Sequence, residues 1–217
     1  MESLITYAIY VHAFLGGVGL ITGIGSIVVK KGGRTHKKMG KLFSIGMIGS
    51  SLISLPIACM PGHESLFLFV IGVFTIYLVL VGNRSLTFKS RKKEKATSLD
   101  LAISMVMALF STAMLVFGIY GIIYGLANNI LFVVFGFLGI VLTVRDFMFY
   151  KKYGTSSNEW LLNHISKMIA ALIASFTAFI VAGLGIGTLL TWIMPSIIGT
   201  VLIIYWRRKM KVKVKPA

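Results

Sequence analysis

All 22 Lys and Arg residues of this 217-residue chain fall in four patches, residues 30–41, 84–95, 145–167 and 207–215, separated by long apolar runs. Short basic loops stay on the cytoplasmic side of a bilayer, which puts every patch on one face. An even number of crossings must then separate consecutive patches, and each interval holds two runs of ~20 apolar residues, the length that spans a ~30 Å hydrocarbon core. One further run precedes the first patch. The pattern predicts an all-α membrane protein of seven transmembrane helices, N-terminus outside and C-terminus inside. Residues 1–217 form a single transmembrane domain, with residues 207–217 as a basic cytoplasmic tail.

Composition agrees, since 57% of the residues are hydrophobic against the ~45–50% usual for soluble domains. In a soluble protein the net charge of +16 would suggest nucleic acid. Here it is dispersed over short loops without interleaved aromatics, which excludes nucleic acid and leaves the anionic lipid headgroups of the bilayer as the partner. A single cysteine, Cys59, excludes an intrachain disulfide and a cysteine-based zinc site. The N-terminus begins Met1-Glu2 and stays apolar to Val29 with no small-residue cleavage site, so it reads as a retained first helix and not as a signal peptide.

Helices are expected over about residues 5–29, 41–60, 66–86, 99–125, 130–150, 161–182 and 189–206. Gly32 and Gly33 suit the end of the first helix and Thr35 the N-cap of the second, while Pro61-Gly62 stops the second on the outer face. The run 89–95, with six charges in seven residues, and the segments 126–129 and 151–159 read as loops. Small residues recur at four-residue spacing in Gly19 and Gly23, in Gly121 and Gly125, and in Ala170, Ala174, Ala178 and Ala182. Such stripes let helices approach closely in lipid, within one chain or, on the sixth helix, in a homodimer.

Ionisable groups within a bilayer cost at least ~2.5 kcal/mol and are functional candidates. His12 lies ~7–8 Å outward of the middle of the first helix. Two readings are open to it: a hydrogen bond to a neighbouring Ser, Thr or carbonyl, or a ligand or proton-handling role. On the same side Cys59, Met60 and His63 place thiol, thioether and imidazole beside a turn, donors that with His12 suit copper or haem iron. A haem b would use His12 with His63 or a Met on the outer side, or His36 with His164 on the inner side, because His12 and His164 lie ~20 Å apart along the membrane normal.

The inner face gathers Arg84, Arg145, Asp146, Asn163, His164 and Lys167. Asp146 needs a partner at that depth, and Arg84 or Lys167 is placed to supply it. The group is either a structural ion-pair belt or a pocket for an anionic ligand. Gly-x-Ser-x-Gly, His-Glu-x-x-His and a pair of carboxylates near one another in sequence on one side of the membrane are all missing, which argues against an enzyme.

The loop Lys30-Lys31-Gly32-Gly33-Arg34-Thr35-His36-Lys37-Lys38-Met39-Gly40-Lys41, after Val11-His12-Ala13, resembles the first loop of a bacterial family of predicted multi-pass membrane proteins of unknown function. Leu66 to Phe69, Tyr77-Leu78 and Gly82-Asn83-Arg84 are similar to that family's third helix, and Trp160 with His164 to its sixth; Lys37 departs from a common Arg. The resemblance implies a protein of the bacterial cytoplasmic membrane and brings no activity with it. Three functions stay open: a redox-linked cofactor protein, a small-molecule transporter or sensor using the inner Arg, Asp and His group, and a non-catalytic assembly or scaffold protein.

Overall fold

The computed structural model describes residues 2–89, 93, 95–126, 129–152 and 158–212. Among these the chain is helical and contains no strand. The helices are α1 (Glu2–Val28), α2 (Arg34–Ile57), α3 (Leu66–Ser85), α4 (Ser98–Ile123), α5 (Asn129–Lys152), α6 (Glu159–Ala178) and α7 (Leu189–Val212). All seven are long and apolar enough to cross a membrane. Large apolar side chains such as Ile21, Leu109, Ile123 and Val201 are exposed along them, a surface suited to lipid tails rather than to water.

Helix ends follow local chemistry more closely than apolar length. Helix α2 begins at Arg34 with Gly33 as its N-cap and no side-chain cap, so Thr35 lies inside the first turn and does not cap it. Gly32 just before it has φ +77°, a left-handed backbone that closes α1. Thr97 and Asp100 form a reciprocal capping box at the start of α4. A 3-10 turn, Leu86–Lys89, prolongs α3 and buries Phe88. Helix α6 widens into a π-helical turn, Phe179–Gly183, so the alanine spacing loses its register beyond Ala178. Helix α7 continues through residues 207–212 of the expected tail. Residues 90–92 and 94 of the charged run, 127–128, 153–157 and 213–217 lie outside the described residues.

The chain divides into two compact units, one of Met1–Val79 with Met168–Leu202 and one of Leu80–Lys167 with Ile203–Ala217. In the first, α1 and α2 touch through backbone. A Cβ on Gly46 would stand 2.7 Å from the Leu15 carbonyl oxygen and 3.0 Å from the Gly19 nitrogen. The α1 face bearing Gly19 and Gly23 is covered by Met47 and Phe43 of α2. In the second unit, Gly136 of α5 lies against α4 in the same way, and a Cβ added there would stand 2.9 Å from the Ser111 carbonyl oxygen and from the Leu115 nitrogen. Close backbone approach of this kind substitutes in lipid for the hydrophobic drive of a soluble core.

Candidate functional site

The polar residues of the second unit concentrate where α3 and α5 end and where α4 and α6 begin. The Thr97 capping box fixes Asp100 at the N-terminus of α4, with its Oδ2 accepting from the Thr97 N–H at 2.8 Å. A carboxylate there also favours the positive end of the helix dipole. Arg84 of α3 binds Oδ1, and Lys93 Nζ reaches Oδ2 at 2.8 Å. Arg84 Nη2 also donates to Thr97 Oγ1 at 2.9 Å. Lys93 lies over the Phe88 ring as well, 3.7 Å from its centroid, so at least this residue of the charged run is engaged with the fold. Asp100 thus has a structural task, the joining of α3, α4 and the segment between them.

One turn further along α4, Ser104 stands on the same face as Asp100 and opposite α5. Its hydroxyl donates to Asp146 Oδ2 at 3.3 Å and meets the Tyr150 hydroxyl at 3.1 Å. Tyr150 OH also lies 3.4 Å from the Asp100 carbonyl, and its ring stacks on Phe88. Phe88 and Phe149 meet edge to face at 5.0 Å. Phe88 and Phe149 are both buried beside the polar chain.

At its inner end lies an ion pair. Lys167 Nζ of α6 is 2.8 Å from Asp146 Oδ1 and 2.9 Å from Oδ2, and it donates to the Leu142 carbonyl at 3.2 Å. Asp146 is 0% and Lys167 1% exposed. Asp146 stands six residues before the end of α5 and Lys167 eight after the start of α6, which sets the pair ~9–12 Å along the helices. Two charges taken out of water cost several kcal/mol each, and a well-packed apolar pair of equal volume is often neutral or more stable by ~1–4 kcal/mol. The pair links α5 to α6 at that desolvation cost.

The other expected pocket residues have partners of their own. Asn163 donates to Ser85 Oγ at 3.0 Å, and His164 Nδ1 bonds the Gly82 carbonyl at 2.8 Å, both fastening α6 to α3. Arg207 of α7 donates to Ser166 Oγ at 2.9 Å. Arg145 is exposed. Arg84, Asp146, Asn163 and His164 each bond a different partner. Asp146 is grouped with Lys167, Ser104 and Tyr150, of which the sequence reading named only Lys167. The signal for the others was their spacing: Ser104 follows Asp100, and Tyr150 follows Asp146, by four residues, one helical turn on the same face.

In the first unit His12 and Ser50 form a reciprocal clasp between α1 and α2, with His12 Nδ1 2.9 Å from the Ser50 hydroxyl and Ser50 Oγ donating to the His12 carbonyl at 3.0 Å. His36 Nδ1 bonds the Ser26 carbonyl at 3.0 Å, and Lys31 Nζ reaches the same carbonyl and that of Ile27. The distinctive first loop thus satisfies the terminal carbonyls of α1. Cys59 and His63 are exposed in the turn after α2, beside Met60, where Glu64 Oε2 accepts from the Gly62 N–H at 2.8 Å. Among the described residues no three of His, Cys, Asp and Glu come together as a metal-binding group. Searches of protein-family models, curated proteins and solved structures find no match to this chain.

Proposed function

We propose that this is a transporter of a small anionic solute, an integral protein of the bacterial cytoplasmic membrane with its N-terminus outside and its C-terminus inside. Lys167 is the binding charge and Asp146 its resident counter-ion. The observation that carries this reading is the fully buried Asp146–Lys167 pair, since an intramembrane ionisable group most often marks a substrate or ion pathway. The basic patches support the orientation, and they bring the same face into contact with anionic lipid headgroups. The resemblance of the first loop to that of a bacterial multi-pass family agrees with the location.

Thermal unfolding of the detergent-purified chain with sodium sulfate, phosphate or citrate tests the assignment. A ligand at ~100 times its Kd stabilises the folded state by ~2.7 kcal/mol, so one of these anions raises the melting temperature of the wild type. The rise disappears in a Lys167→Met, Asp146→Leu double variant. No response to any of the three, or an equal response in the double variant, refutes the reading.

A further inference from the structure

We propose that Asp146 is the proton acceptor of this site, that Tyr150 and Ser104 hand the proton to it, and that one proton therefore accompanies each anion bound at Lys167. The inference rests on the anion-carrier reading and adds to it the means by which charge stays balanced.

The argument begins with the sum of charges. The Asp146 carboxylate and Lys167 ammonium are neutral together and lie out of contact with water. Adding a singly charged anion would leave one uncompensated negative charge in the interior, at a penalty of several kcal/mol. A proton on Asp146 Oδ2 cancels it, because ammonium, carboxylic acid and a monovalent anion such as dihydrogen phosphate again sum to zero; with a multiply charged anion the proton offsets one of its charges. The same proton frees the ligand position. A protonated carboxyl holds the ammonium less strongly than a carboxylate, and the anion takes the place of the weakened contact.

A route for that proton is already laid out. Ser104 Oγ–H donates to Asp146 Oδ2 across 3.3 Å, and Tyr150 OH stands 3.1 Å from Ser104 Oγ. Tyr150 is half-buried and one turn nearer the end of α5 than Asp146. In the transfer the Ser104 hydroxyl proton moves to Asp146 Oδ2, Ser104 Oγ takes the Tyr150 phenol proton, and the phenol oxygen takes a proton from hydronium in the solvent, leaving water. Serine and tyrosine end as they began, and the carboxylate has gained one proton.

Of the two carboxylates beside the relay, Asp146 is the one that accepts from the Ser104 hydroxyl. Asp100 on α4 is committed to Arg84 of α3, to Lys93 and to Thr97. Arg145 on α5 is exposed, and Lys167 on α6 is the cation in contact with the carboxylate.

Infrared difference spectroscopy of the full chain in lipid, acidified from about pH 8 to about pH 5 so as to span the carboxylate and histidine range, reads the proton directly. With the stabilising anion present, the wild type develops the carbonyl band of a protonated carboxyl group buried from solvent. Asp146→Asn removes the band and Asp146→Glu restores it at a shifted position. Tyr150→Phe and Ser104→Ala slow its appearance by tenfold or more, and Tyr150→Phe carries the test should Asp146→Asn fail to fold. Sulfate, phosphate or citrate, whichever stabilises the wild type, increases the band. No band, a band that survives in Asp146→Asn, or an unchanged rate in Tyr150→Phe overturns the proposal. An anion-stabilised protein without the band keeps the carrier and loses the proton coupling. A band without anion stabilisation removes the carrier reading and the coupling with it.

Discussion

Lys167 closes both carboxylate oxygens of Asp146 onto one ammonium, at 2.8 Å and 2.9 Å, with neither residue more than 1% exposed. A pair so placed behaves asymmetrically under mutation. Replacing Lys167 alone by Met leaves a buried carboxylate without its cation and destabilises by ~3–5 kcal/mol. Replacing both, as in Lys167→Met with Asp146→Leu, recovers most of that loss or gains stability. Chemical denaturation in detergent micelles measures both effects, and equal losses in the single and double variants would show that the pair is needed for folding.

Gly46 provides a test of the packing in the first unit that is independent of the charges. Gly46→Ala sets a Cβ 2.7 Å from the Leu15 carbonyl oxygen, where only backbone is present to yield, and overpacking of this kind costs ~1–3 kcal/mol. Gly17→Ala on α1 meets nothing within 4 Å and gains ~0.5–1 kcal/mol from helix propensity. Melting temperatures that move in opposite directions confirm the α1–α2 contact, and a neutral Gly46→Ala contradicts it.

Cys59, the single cysteine, is exposed in the turn after α2 and tests orientation without engineering. A membrane-impermeant maleimide labels it in intact cells. In a Cys59→Ser, Lys95→Cys variant, whose new thiol lies at an exposed position, labelling needs permeabilised membranes. The reverse pattern inverts the topology.

The spans were legible in the sequence because a bilayer imposes apolar length and leaves the basic residues between the runs, as at Arg84 and Lys30. Their ends were less so. Arg207 sustains α7 past the apolar run because its guanidinium finds Ser166 and the Leu162 carbonyl on α6, a contact no local pattern announces. Phe88 is buried because a 3-10 turn continues α3, although the residues around it are basic.

The candidate site was half legible. Depth marked Asp146 as needing a partner, and Lys167 was one of two candidates. Arg84, the other, is taken by Asp100 16 residues along the chain, a pairing set by how α3 and α4 are joined. The Thr-x-x-Asp spacing of Thr97 and Asp100 did contain the capping box. The relay through Ser104 depends on the facing of α4 and α5, and single-chain periodicity does not encode that.

The central claim is tested most directly by anion flux. Proteoliposomes containing the full chain and an entrapped pH-sensitive dye are given an inward gradient of sodium sulfate, phosphate or citrate. The account predicts interior acidification with at least one of these anions, and none in the Lys167→Met, Asp146→Leu variant. No acidification with any of the three, or the same acidification in that variant, would contradict it.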